Sequence, residues 1–174
     1  MHPLLSKLTG GDRRSIGRAN EIAAEVVENP SLFPILVEGM RDGKPLVRMR
    51  AADAAEKVSA RLPELLQPHK RTLLALAAST AEQEVRWHLA LMLPRLRLGK
   101  AGRARAVEIL RRYLSDKSRI VVVSAMEGLA AFAEQRPALR PDVIAIVRRL
   151  MRNGGPAVRS RGKKLLRRLG AEPA

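Results

Sequence analysis

Residues 42–55 read DGKPLVRMRAADAA. A turn rich in chain breakers (Asp42, Gly43, Pro45) leads into Val47-Arg48. Small and apolar residues then recur at Ala51, Ala55 and Val58, the three- and four-residue steps of one helix face. The same pattern returns at 80–93, TAEQEVRWHLALML, and at 153–166, NGGPAVRSRGKKLL; a weaker copy lies at 115–129, SDKSRIVVVSAMEGL. Branched apolar residues open the helices of these copies, and Ile16, Val47, Val85, Ile120 and Val158 stand 31, 38, 35 and 38 residues apart. A period of this size, with room for two helices per unit, predicts a stacked helical solenoid.

Working outward, each copy completes a pair of helix A, turn and helix B. In the second pair, Ser31 to Met40 is helix A, Arg41 to Pro45 the turn, and helix B runs from Leu46 to about Ser59. The third pair has helix A over Leu65 to Ser79 and a turn to Glu84, and the fourth runs from Ala104 to Leu114 and then into Ile120. In the fifth, Pro141 occupies the first turn of a helix that ends near Met151, and Asn153-Gly154-Gly155-Pro156 breaks the chain before Val158. The first pair is the least regular, with a short helix A and a Gly10-Gly11 break, as expected of a terminal cap. The run Ile120 to Val123 has strand character, but its place in the period makes it helical.

The turn carrying Asp or Asn, the Val-Arg pair and the small residue four or five positions on resemble the HEAT-repeat family, over most of the chain from about Ser31. The resemblance implies an all-α, right-handed superhelix of about five two-helix repeats in a single domain, at roughly 1–30, 31–62, 63–99, 100–137 and 138–174. It also implies a structural hydrogen-bond ladder between repeats through Asp42, Asn153, Arg48, Arg86 and Arg159, interrupted in the fourth repeat. It is specific for fold and says little of function, because such arrays hold many unrelated partners.

The chain carries 33 Lys and Arg against 17 Asp and Glu, a net charge of +16. Residues 1–60 hold 9 basic and 8 acidic side chains, whereas 101–174 hold 17 and 6. Charge concentrated at one end points to a polyanionic partner more strongly than evenly spread charge does; the alternative is Arg used for solubility and for packing of its apolar stem. With no cysteine, disulfides and thiolate chemistry are excluded. The opening residues lack the apolar core of a secretory signal and no run approaches a membrane span, so the expectation is a soluble cytoplasmic protein.

Advancing 100° per residue from each opening residue sorts helix B into a core side and a second side. In the family that second side lines the concave face. It would display Met49, Arg50, Asp53 and Lys57; then Trp87, His88, Leu91 and Arg95; then Val122, Val123, Met126 and Ala130; and finally Ser160, Arg161, Lys164 and Arg168. The result is a groove with an apolar, aromatic middle and a basic C-terminal end. Three readings of that middle stand open: cover by curvature or a loop, a peptide or helix site anchored by Trp87 and Met126, or a self-association surface.

In the last helix, Val158, Leu165, Leu166 and Leu169 form the packing edge. Arg159, Arg161, Lys163, Lys164, Arg167 and Arg168 occupy the remainder with no acid among them, and Arg148, Arg149 and Arg152 precede them. Salt-sensitive phosphate binding through Arg148, Arg149, Arg152, Arg161, Lys164, Arg167 and Arg168 is one reading; a cationic cap that keeps the array soluble is the other.

His2, His69 and His88 are scattered, and no phosphate loop or nucleophilic motif occurs, so no metal or cofactor is expected. HEAT-like arrays include alkylpurine DNA glycosylases, and Trp87, Asp53, His88 and either Arg50 or Arg95 supply the residue types. The aromatic complement is thin, however, with Trp87 and Tyr113 besides the Phe residues. The expectation is therefore a non-catalytic binding module for a nucleic-acid backbone or an acidic protein. A protein-interaction scaffold using the apolar groove is the alternative, and a glycosylase-like enzyme the third choice.

Overall fold

A computed structural model describes residues 2–12 and 14–172. These residues form α-helices, short 3₁₀ turns and connecting loops, without strand. None of the helices is long and apolar enough to cross a membrane. The chain divides into two compact units, 1–97 and 98–174.

The first unit contains α1 (Pro3–Ser6), α2 (Ala19–Glu28), α3 (Phe33–Gly39), α4 (Pro45–Arg61), α5 (Lys70–Ser79) and α6 (Gln83–Met92). The helix B elements α2, α4 and α6 stack side by side, with α3 across α4 and α5 against α6. Helix α4 has neighbours on three sides, and its composition follows from that. Ala51, Ala52, Ala54 and Ala55 are all fully buried, because only a methyl-sized side chain lets axes approach to the roughly 8–10 Å of close helix packing.

The second unit contains α7 (Lys100–Tyr113), α8 (Arg119–Gln135), α9 (Arg140–Asn153) and α10 (Pro156–Arg168). Helix α8 packs on α7, α9 and α10, and it too is nearly buried all round, with Ala125, Gly128, Ala130 and Ala133 at its contacts. Gly162 of α10 meets Met151 of α9 so closely that a Cβ there would lie 2.4 Å from Met151 Cγ. Glycine is what allows the two helices to touch at this point.

The turns before helix B repeat one device. The Asp42 carboxylate accepts the Lys44 N–H at 2.8 Å, the Thr80 hydroxyl accepts the Glu82 N–H at 3.2 Å, and the Asp116 carboxylate accepts the Ser118 N–H at 2.8 Å. Each side chain fixes the turn and starts the helix at the third residue after it, at Pro45, Gln83 and Arg119. Arg48 then ties two repeats together: it donates to the Asp42 carbonyl at 2.6 Å and to the Glu82 carboxylate at 2.6 Å. Arg86 donates to the Thr80 carbonyl at 2.8 Å.

These turns also set the phase of each helix B, and they correct two of the five opening residues. Val47, Val85 and Val158 are buried as expected. Ile120 is 56% exposed and Val121 is 0% exposed, so the fourth helix B opens on Val121. Val121, Ala125, Leu129 and Phe132 form its core face. The slip of one residue rotates the helix assignment by about 100°. Glu127 thereby takes a position near the surface, while Val122, Met126 and Ala130, expected to face solvent, are buried because α8 is packed by α7, α9 and α10. Ile16, also read as an opening residue, precedes α2 and is 42% exposed.

Candidate binding surfaces

In the first unit, the residues expected to line a groove are mostly engaged by the chain itself. Arg50 is 2% exposed. Its guanidinium donates to the carbonyls of Leu8 (2.8 Å), Gly10 (2.6 Å), Asp12 (3.1 Å) and Ser15 (3.2 Å). The long loop between α1 and α2 thus folds back over α4 and is held through its main chain. Gly17 lies against the same guanidinium with φ +54°, and a Cβ there would be 2.7 Å from Arg50 Cζ. The expected solvent-facing role of Arg50 is corrected accordingly: it is a buried clamp. Nothing in the chain pattern announces this, because the acceptors are main-chain carbonyls, which every residue carries.

Beside the clamp lies a hollow of about 250 Å³ between Trp87, Met49, Asp53 and His88 on the helices and Ser15 and Ile16 on the loop. Asp53 accepts from Lys57 Nζ at 2.6 Å, and Lys57 also reaches Asn20 at 2.5 Å. The Trp87 and His88 rings are tilted 5.4 Å apart. Arg95 is not a groove residue either. The helix ends at Met92, and a 3₁₀ turn over Leu93–Arg95 carries Arg95 back to Ser59, the Glu56 carbonyl (both 2.9 Å) and the Glu56 carboxylate (2.5 Å). Pro94 in this turn cannot continue the helix ladder, so the 100° step no longer applies there. Leu91 and Trp87 stay half-buried.

His88 is held neutral. Burial pushes its imidazole down to about 4, against a smaller opposing pull from Asp53, whose Oδ1 lies 3.7 Å from Nε2. Its Nδ1 is buried without a hydrogen-bond partner. Because the folded value lies below the unfolded one, His88 contributes fully above pH 6.5, and the contribution is lost as pH falls to about 4. A shift of this size corresponds to about 3 kcal/mol. The urea midpoint should fall more steeply between those pH values in the wild type than in a His88→Asn variant. An NMR titration placing the His88 midpoint near 6.5 would contradict the account.

In the second unit the seven cations expected to act together separate into groups. Arg161 and Arg168 are paired with acids from the preceding helix B. Arg161 bonds Glu127; Arg168 donates to Glu127 at 2.6 Å and makes a two-pronged contact with Glu134 at 3.0 and 2.7 Å. The hydrogen bonds to Glu134, with those to Glu127, raise the Arg168 pKa above its ordinary value. The expected absence of acids around these two residues is corrected: the acids come from α8, and the one-residue slip had hidden Glu127.

Arg149, Lys164 and Arg167 are exposed and make no ion pair among the described residues. Arg148 and Arg152 meet Arg159 and Lys163 across a cleft of about 390 Å³, floored by Met151 and Leu166. Arg148 and Arg152 are four residues apart on α9, and Arg159 and Lys163 four apart on α10, so each pair shares one helix face. No acidic side chain lines the cleft. Arg159, expected to belong to the structural ladder, and Lys163 complete a site that the sequence reading assigned to other cations. The fourfold spacing on both helices was the available signal.

The sequence matches no protein-family model and no curated protein. Among solved structures, the chain is similar to computationally designed armadillo repeat proteins for modular peptide recognition, at 17% identity and a TM-score of 0.61 over 95% of this chain and 80% of that one. A second designed armadillo repeat protein matches at 18% identity and a TM-score of 0.62, covering 96% and 81%. The fold is that of an all-α helical-repeat solenoid.

Proposed function

We propose that this chain is a non-catalytic helical-repeat module that binds an acidic segment of a partner protein on the α9–α10 surface. The observation that carries the reading is the cleft of Arg148, Arg152, Arg159 and Lys163, where four cations converge without an acid. Arg48, Arg95, Arg161 and Arg168 are each paired with an acid, whereas no ion pair among the described residues relieves these four. An anionic partner would remove the repulsion between them. The fold supports the same reading, since the similar designed proteins are described as made for peptide recognition. On this view the repeats are of HEAT type, with Arg48 bridging successive turns, and the clamp on Arg50 and the pairing of Asp53 with Lys57 argue against a base-excision site.

A second reading, contact with a nucleic-acid backbone, draws on the exposed Arg149, Lys164 and Arg167 outside the cleft. Fluorescence anisotropy across a salt series separates the two. The probes are a labelled Glu-rich peptide, duplex DNA, single-stranded DNA and RNA. Saturable peptide binding that exceeds nucleic-acid binding at physiological salt is the expected result. Submicromolar nucleic-acid affinity with a steep salt slope, and no peptide binding, would overturn it in favour of the second reading.

A further inference from the structure

The α9–α10 cleft has a shape and charge more specific than a general acidic surface needs. Its cations form two facing rows, Arg148 and Arg152 against Arg159 and Lys163, over an apolar floor of Met151 and Leu166. The contact at Gly162 holds the rows together, because α10 rests directly on Met151 there. The side chains of three of the four have no hydrogen bond or ion pair among the described residues, and that of Arg148 makes one weak contact, 3.4 Å to the Glu172 carbonyl.

We propose that this cleft is a receptor for a phosphorylated side chain, a phosphoserine or phosphothreonine within the acidic segment; the proposal rests on the peptide-binding reading above. A carboxylate brings one charge and two acceptor oxygens. A phosphate monoester brings roughly −1.5 to −2 and three strong acceptors, which suits a concave cluster of planar guanidinium donors. Toward α8 the cleft is bounded, because Arg161 and Arg168 are neutralised by Glu127 and Glu134. A nucleic-acid strand would draw on the unpaired Arg149, Lys164 and Arg167 outside the cleft as well, whereas a single dianion needs only the four converging cations. The apolar floor gives the methylene stem of the modified residue a surface to lie on.

The test compares two labelled acidic peptides, identical except for serine or phosphoserine at the centre, by anisotropy against the full chain. The phosphopeptide should bind about tenfold more tightly or better, in keeping with new charge-assisted hydrogen bonds. An Arg152→Gln/Arg159→Gln variant should weaken both peptides, the phosphopeptide much more, so that the preference is lost. An Arg149→Gln/Arg167→Gln variant, with the same loss of charge outside the cleft, should keep the preference. Circular dichroism checks that both remain folded, as expected for exposed positions. Equal affinity for the two peptides would overturn the phosphate receptor while leaving the acidic-peptide reading intact. No binding of either peptide would overturn both. Equal loss of preference in the two variants would remove the cleft as its location.

Discussion

Replacing Met126 with aspartate is expected to unfold the second unit. Met126 is completely buried on α8, a helix packed on α7, α9 and α10. The substitution removes an apolar side chain and places a carboxylate where water does not reach it. The combined loss of burial and uncompensated charge should exceed about 4 kcal/mol. Domains of this size are stable by only about 5–15 kcal/mol, so most of the helical signal of the unit should disappear at physiological temperature. Ile120→Asp is the matched control. Ile120 is exposed at the start of the same helix, where an acid also complements the helix dipole, so its effect should stay within about 0.5–1 kcal/mol. Far-UV circular dichroism and limited proteolysis read both variants. A tolerated Met126→Asp with a destructive Ile120→Asp would restore the register read from the branched residues alone.

The second large effect belongs to Arg50. Arg50→Ala removes a guanidinium that holds four main-chain carbonyls between Leu8 and Ser15. Hydrogen bonds from a charged donor contribute about 1.5–3 kcal/mol each, but the freed loop regains water at most of these oxygens, so a net loss of about 3 kcal/mol is expected. For a protein of this length that corresponds to a melting-point drop of roughly 6–12 °C. Arg50→Lys should recover less than half, because one ammonium cannot span acceptors that a planar fork reaches together. Gly17→Val should act in the same direction, since its Cβ would enter the guanidinium and its φ of +54° disfavours a branched residue. Thermal melts that leave Arg50→Ala unchanged would show that the loop is held by something else.

Much of the architecture was legible before any coordinates. The turn residues, the Val-Arg pairs and the runs of alanine report a local requirement, namely a capped helix with one apolar face, and local requirements are written in adjacent residues. Even the phase of α8 was recoverable. Asp42, Thr80, Asp116 and Asn153 each stand five residues before Val47, Val85, Val121 and Val158. Counting from the turn residue, rather than from the first branched residue, selects Val121 over Ile120. The turn sets the phase because its side chain starts the helix, whereas a branched residue is only compatible with burial.

What the sequence determined by itself was the class of fold, the division into helix pairs and the excess of positive charge in the last repeats. Only the tertiary structure decided which of those charges are free. Glu127 and Glu134 reach Arg161 and Arg168 across 34 to 41 residues of chain, and Arg50 finds its carbonyls 35 to 42 residues away. A charged side chain carries no mark of its partner, since pairing depends on which helix faces packing brings together. The same packing, tightened at Gly162, gathers Arg148, Arg152, Arg159 and Lys163 into one cleft and leaves them without an acid.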